Sequence, residues 1–213
     1  MMKWDEILRI GMFRPEKPHM AIVELVDFLK ARKVRRIFDL GCGAGGNLIY
    51  LAKLEFQVHG TDISKTGLME TKRRLKKEGL AAELTKSDMK SIPCSHSSFD
   101  AVISVNVIYH DTLEGMQKTI SEIHRILKHN GLAFITLQSR HSHKFAKGKE
   151  IEKDTFIPQR GIEKGVLHHF SDKNEVMKLL KIFDILNLKL DEFVDEKGRL
   201  HSHWKVLVEK VSA

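Results

Sequence analysis

Apolar positions recur at helical spacing over residues 18–31, where Ile22, Val26 and Leu29 share one face, and the pattern then shortens to a buried run, RRIFDL at 35–40. Glycines follow, and a helix is expected from Asn47. The alternation continues. QVHGTD (57–62) reads as a second strand, a helix runs from Ser64 as N-cap to Gly79 as its C-terminal glycine, and AAELTKSD (81–88) reads as a third strand. FDAVISVNV (99–107) is nearly unbroken in apolar and β-branched residues, as a central parallel strand covered on both faces requires.

A helix beginning near Asp111 repeats Leu113, Met116, Ile120, Ile123 and Leu127 on one face, with Gly131 as its stop, and LAFITL (132–137) makes the fifth strand. Residues 138–170 break the rhythm: polar, rich in His and Lys and without clear period, they are expected to form a long insertion loop over the active site. Helical signals resume at Ser171 and Asp172, with Val176, Leu179 and Leu180 inward, and DILNLKL with HWKVLVEK closes the chain as a hairpin. The pattern predicts an α/β, doubly wound sheet, parallel in its early strands and antiparallel in its last.

Length and composition add bounds. The 213 residues suit one domain, residues 1–213, and 42% apolar with 30% charged residues is ordinary for a soluble globular chain. No apolar run approaches the roughly 18 residues of a membrane span, and the N-terminal segment mixes acids and bases without a signal-peptide core, so a cytoplasmic protein is expected. Cys42, in the glycine loop, and Cys94, in a turn, are too few and too badly placed for a disulfide framework. The formal charge of +8 is spread over ARKVRR, KRRLKK and RHSHKFAKGK. The first two read as solvated helix ends, and only the third, at 140–149, lies where a substrate can meet it.

The chemistry turns on FDLGCGAGGNL (38–48), which spells both G-x-G-x-x-G, through Gly41, Gly43 and Gly46, and D-x-G-x-G-x-G, through Asp39, Gly41, Gly43 and Gly45. The first spacing holds a dinucleotide and the second S-adenosylmethionine. Asp39 decides between them, because it would sit at the mouth of the first strand, beside a pyrophosphate. Two unit charges about 4 Å apart repel by roughly 4 kcal/mol at an effective dielectric of about 20. The α-ammonium of S-adenosylmethionine is attracted instead. Asp62, ending strand two, can accept from ribose hydroxyls of either cofactor, while Asp88, ending strand three with Met89 beside it, can accept from an adenine amino group. Three acids along one sheet edge suit a cofactor carrying a sulfonium and an ammonium. A nicotinamide oxidoreductase is disfavoured.

FDLGCGAGGNL, VHGTDIS, TKSDMKSIP, SSFDAVISVNVIYH, EIHRILKHNGLAFIT and HSHWKVLVEK together resemble a class I S-adenosylmethionine-dependent methyltransferase of the small type-11 kind. The resemblance covers most of the chain and implies a Rossmann-like, seven-stranded, mostly parallel sheet with an antiparallel last strand. It further implies that Asp39, Gly41, Gly43 and Gly45 hold the methionine part, that Asp62 and Ile63 hold ribose and adenine with Asp88 and Met89, and that Asn106 lies under the sulfonium, acting through its backbone carbonyl and amide. The NPPY or DPPY signature of many amino-group methyltransferases is missing, which argues against exocyclic amines of nucleic-acid bases.

Methyl transfer from a sulfonium is a direct displacement, so alignment supplies most of the acceleration, and a base is needed only for an acceptor that must lose a proton. His110 is the candidate for taking that proton and Tyr109 for shaping the pocket, although packing at a helix start also accounts for His110. His168, His169 and His203 are candidates for acceptor binding. No metal is expected, because no cysteine or acid stands at ligand spacing from the histidines. Residues 1–31 are expected to form a helical lid, with Phe13 and Arg14 at the cofactor mouth, while Trp4 reads better as packing. The acceptor is expected to be a small molecule. An RNA or protein methyltransferase and a non-catalytic S-adenosylmethionine-binding protein are the alternatives, the first lacking a basic stripe interleaved with aromatics.

Overall fold

The computed structural model describes residues 3–10 and 14–211; Phe13 lies outside them. Two short helices open the chain, α1 (Lys3–Arg9) and α2 (Met20–Ala31), followed by β1 (Arg36–Leu40), α3 (Gly46–Lys53), β2 (Gln57–Asp62), α4 (Lys65–Glu78) and β3 (Glu83–Lys86). The second half runs β4 (Phe99–Ser104), α5 (Leu113–Ile126), β5 (Leu127–Gln138), β6 (Lys149–Glu152), β7 (Thr155–Ile157), β8 (His168–His169), α6 (Lys173–Leu179), β9 (Asp184–Val194) and β10 (Leu200–Glu209).

Seven strands pair in the order β3-β2-β1-β4-β5-β10-β9. The first five are parallel, and β10 enters antiparallel between β5 and β9, registered from His203 opposite Gln138 to Glu209 opposite Leu132. This is the doubly wound sheet that the alternation of patterns predicts. The pleat sends Ile37 to one face, with Ile22, Leu29, Leu48 and Leu51, and Phe38 to the other, with Met116, Ile120, Ile123 and Val176. Each such fully buried side chain contributes about 1.5–3 kcal/mol relative to exposure. The helix ends follow the sequence signals: the Ser64 and Thr112 hydroxyls cap α4 and α5 at Gly67 and Gly115, the Asp172 carboxylate caps α6 at Glu175, and Gly79 ends α4 in the left-handed region.

Three expectations change. Gly131 does not stop α5; the helix ends at Ile126, Leu127 is already extended, and Gly131 lies within β5, where an added Cβ would come within 2.8 Å of the Lys128 carbonyl. Residues 138–170 are not one irregular loop, for they contain the antiparallel sheet β6-β7-β8. The lid is also shorter than residues 1–31: α2 buries Ile22, Leu25 and Leu29 against the sheet, leaving α1 and the strap that follows from Arg14 as the covering piece. No described helix is long and apolar enough to cross a membrane.

Candidate active site

A cleft of about 1310 Å³ opens at the carboxyl ends of the parallel strands, the position that this sheet topology reserves for ligands. Its cofactor-side wall is the glycine loop. Gly41, Gly43 and Gly45 all take positive φ (73, 52 and 83°), which only glycine adopts without strain. The loop is tied down from within: the Gly41 and Cys42 amides donate to the Thr61 carbonyl at 2.8 and 2.9 Å, and the Gly43 amide donates to Asp62 at 2.8 Å. These N–H groups are therefore not free for a ligand carboxylate, contrary to the general expectation for such loops. Gly43 nevertheless faces open space, with nothing within 4 Å of an added Cβ. Gly45 is buried, caps α3 and approaches Thr71 instead of lining the cleft.

Asp39 needs a similar correction. Its carboxylate is 2% exposed and lies beneath the loop beside the Leu48 amide, not on the cleft surface, and its Oδ2 has no hydrogen-bond partner. Burial, and then the charge of Asp62, push its pKa up to about 7. Asp62 does line the cleft; it accepts from the Gly43 and Ser64 amides, yet burial still raises its pKa. The two acids make a charge-starved floor that a cationic ligand relieves through space. An orphaned buried carboxylate and an open glycine fit the methionine end of S-adenosylmethionine and oppose a pyrophosphate. Ile63, Asp88 and Met89 line the same half, with Asp88 held by the Lys90 amide at 2.8 Å and Lys90 bridged to Asp111 at 2.6 Å.

Asn106 lies between the halves at φ 58°, fixed by Thr136, which accepts its amide at 2.7 Å and donates to its side chain at 3.2 Å. Its amide is thus consumed, leaving only the carbonyl of the two expected groups. Beyond it come Tyr109 and His110. The Tyr109 carbonyl accepts from the His169 amide at 2.8 Å, which ties the loop after β4 to β8, and burial pushes the phenol pKa up, so the hydroxyl keeps its proton. His110 Nδ1 meets the Leu167 carbonyl at 3.1 Å, while the Trp4 ring stands edge-on at 4.7 Å. Trp4 lines the cleft. Burial, and then the neighbouring His168, hold the His110 pKa down at about 3. An imidazole so depressed is a weak base at neutral pH, so these surroundings do not suit the proton-taking role expected of it.

The remaining histidines separate. His203 lines the cleft 5.9 Å from the Tyr109 ring, its pKa lowered to about 4 by burial. His168 sits behind His110 at 4.7 Å between rings, 1% exposed. His169 is not an acceptor-binding residue here: it lies outside the cleft, and its nitrogens meet Thr155 at 2.7 Å and Glu175 at 3.1 Å. Arg14 reaches the cleft and donates to the Leu8 carbonyl. In the basic stretch at 140–149, Arg140 pairs with Asp154 and Asp172 and Lys144 with Glu163, while His141 meets Glu192.

Sequence reasoning missed Glu163 and Lys144, which face the cleft from the insertion, because no periodicity marks them and only the fold of β6-β7-β8 brings them to His110. It also missed Asp5, which accepts from the Ser64 hydroxyl at 2.6 Å and the Thr66 amide at 2.8 Å and so clamps α1 over the site. A charged residue on an amphipathic helix gives no such signal. Arg74 clamps the strap in turn through the Pro15, Glu16 and Ala44 carbonyls.

Sheet order, glycine loop and strand-end acids define the fold of the class I S-adenosylmethionine-dependent methyltransferases. Residues 37–131 match the family model described as a methyltransferase domain. The chain is 32% identical over 96 residues to an uncharacterized methyltransferase of Bacillus subtilis, YodH, covering 45% of this chain and 40% of that one. It is 32% identical over 110 residues to the malonyl-[acyl-carrier protein] O-methyltransferase of Enterobacter lignolyticus, covering 51% and 41%. The chain thus spans less than half the length of either relative. A crystal structure of a SAM-dependent methyltransferase from Methanosarcina mazei superposes with TM-score 0.74 at 21% identity, over 84% of this chain and 93% of that one. Residues 37–131 thus carry a match to a methyltransferase domain, and the chain has the fold of the class I S-adenosylmethionine-dependent methyltransferases, to which it is similar.

Proposed function

We propose that the protein transfers a methyl group from S-adenosylmethionine by direct displacement to a small-molecule acceptor. The observation that carries this reading is the enclosure of the acceptor half: the Trp4 ring and the Leu167 carbonyl both pack on His110, with His203 closing the third wall. Such a pocket suits a compact molecule better than a duplex or a folded protein. Arg140 and Lys144, the two cations of the insertion that are already paired with acids, are also poorly available to RNA phosphates. One relative is named for O-methylation of a malonyl group on a carrier protein, which is compatible with an acceptor moiety small enough for this space.

The bound cofactor supplies an electrophilic methyl on sulfur. Asp62 and Ile63 would hold its ribose, and Asp88 and Met89 its adenine, while buried Asp39 acts by charge through the loop. Asn106, fixed by Thr136, sets the floor where nucleophile and methyl align. Alignment of this kind accounts for up to about 7–11 kcal/mol of a barrier. Tyr109, Arg14 and His203 would shape and bind the acceptor, with His110 forming part of its wall.

The test is calorimetric titration with S-adenosylmethionine, S-adenosylhomocysteine and NAD, followed by S-adenosylhomocysteine release with a panel of small hydroxyl, thiol and amine acceptors against bulk tRNA and a protein extract. Binding of both adenosyl ligands and turnover confined to small acceptors is expected. Turnover only on RNA or protein overturns the acceptor assignment, and NAD binding alone overturns the cofactor.

A further inference from the structure

His110, Glu163 and His168 bring one donor atom each to within 4.8 Å of one another, the group of three His, Cys or carboxylate side chains among the described residues that can surround an ion. Glu163 stands five residues before His168 in the chain and far from His110. Both imidazoles are oriented from behind by oxygen acceptors. His110 Nδ1 meets the Leu167 carbonyl at 3.1 Å, and His168 Nδ1 meets Gln138 Oε1 at 3.3 Å, with the Gln138 amide in turn directed by Ser142 at 3.3 Å. An N–H committed on one side leaves a lone pair on the other, the arrangement that outer contacts impose on metal-ligating histidines.

The second observation is His168 Nε2. It is buried, with 2% of the side chain exposed, has no hydrogen-bond partner, and lies 3.8 Å from Glu163 Oε2. That separation is too long for a hydrogen bond, and a bare lone pair facing a carboxylate is repulsive unless a cation stands between them. Lys144 supplies a cation to Glu163 from the side, without touching the imidazole nitrogen. Tetrahedral donors about 2.0–2.1 Å from a zinc ion are about 3.3–3.4 Å apart, so closing the trio needs side-chain shifts on the order of 1 Å.

We propose that His110, Glu163 and His168 form a binding site for a divalent transition-metal ion at the inner wall of the acceptor cleft. Two imidazoles and a carboxylate select a borderline ion such as Zn²⁺, Fe²⁺ or Co²⁺ over Mg²⁺ or Ca²⁺. Three protein ligands leave a position open, as catalytic and unlike closed structural sites do. His110 and Glu163 both line the cleft, so that position faces the acceptor half. A donor atom of the acceptor as the next ligand is a step that rests on the proposed function; the metal site itself does not.

The full chain, stripped with a chelator, is titrated with Zn²⁺ by calorimetry and with Co²⁺ by visible absorption, with S-adenosylmethionine titrated in parallel. One ion per chain is expected, with the Co²⁺ bands of a low-coordinate nitrogen and oxygen site, and Glu163→Gln and His168→Gln should each weaken binding by at least about tenfold. Lys144→Met should tighten it by removing the competing ammonium. If His168→Gln does not fold, Glu163→Gln decides, since Glu163 sits half-buried outside the main core. No stoichiometric binding to protein that still binds S-adenosylmethionine overturns the metal site and leaves the methyltransferase reading standing. Binding that survives Glu163→Gln but disappears on changing His143 or His201 overturns it as well.

Discussion

Replacing Asp39 with asparagine isolates the charge-starved floor beneath the glycine loop. With a folded-state pKa of about 7 against an ordinary value of 3.8, the folded chain binds more protons than the unfolded chain between those values. Its contribution therefore falls as pH rises, from full stability below about 4 to a floor above about 7. From pH 5 to pH 8 the loss integrates to about 2–3 kcal/mol at 1.36 kcal/mol per unit. The substituted amide brings its own cost for an unpartnered NH₂, about 1–3 kcal/mol, but that cost does not depend on pH. The quantity to measure is thus the change in the Asp39→Asn stability difference between pH 5 and pH 8, by urea unfolding of the cofactor-free protein. The variant should gain on the parent by about 2 kcal/mol over that interval, with Asp62 sharing the relief. Saturating S-adenosylmethionine should shrink this gain, because its cations stabilise the carboxylate. The parent's affinity should also rise from pH 5.5 to 7 by at most tenfold per unit, and the variant's should stay flat. A pH-independent stability difference, or equal cofactor affinities for the two proteins, would refute the argument.

Gly43→Ala meets no atom within 4 Å but must hold φ 52°, so a stability loss of about 1 kcal/mol with a larger loss of S-adenosylmethionine affinity is expected, read by unfolding and calorimetry. Asp5→Ala removes the acceptor for Ser64 and Thr66, and about 0.5–2 kcal/mol of capping with it; α1 should become more accessible to protease and the acceptor KM should rise while cofactor affinity holds. His169→Ala removes one partner each from Thr155, which keeps Glu152, and from Glu175, costing about 1–3 kcal/mol in thermal or urea unfolding without changing cofactor affinity in the folded protein. A cofactor-affinity loss in that last variant would put His169 back among the ligand-binding residues.

The fold was legible wherever one period dominated. FDAVISVNV and the Met116, Ile120, Ile123 face announce a covered central strand and its helix, and Ser64 and Gly79 mark the ends of α4 because capping is a local interaction. The insertion was opaque: β7 is three residues long and β8 two, too short for alternation to register, and their pairing depends on neighbours brought by tertiary structure. The same limit governed the site. Asp62 ends β2, and Asp88 and Asn106 lie two residues past β3 and β4, so the two acids could be placed from the strand pattern and Asn106 from the resemblance, whereas Asp39 could be assigned a charge but not a depth. Residue identity separated none of the histidines; His169 is structural and His203 faces the cleft because of what surrounds each.

The cleft is built from two regions with different similarity to known proteins, and this bears on how the acceptor can be found. The matched segment ends at residue 131 and contains the glycine loop, Asp62, Asp88, Asn106, Tyr109 and His110. Lys144, Glu163, Leu167 and His203, which wall the far side, all lie beyond it, and Trp4 and Arg14 lie before it. Cofactor handling therefore follows from the shared half. In the proposed function, Tyr109 and His110 are the acceptor-side residues that this match reaches and the rest of that wall lies outside it, so the substrate of a relative aligned over the shared half has no physical claim on the other wall. Exchanging the wall residues one at a time should change acceptor choice while leaving S-adenosylmethionine affinity nearly constant. Substitutions at Asp62 or Gly43 should weaken the cofactor for every acceptor alike. A Lys144 or His203 variant that lost cofactor binding first would mean that the two halves are not separable and that the cleft closes as one unit.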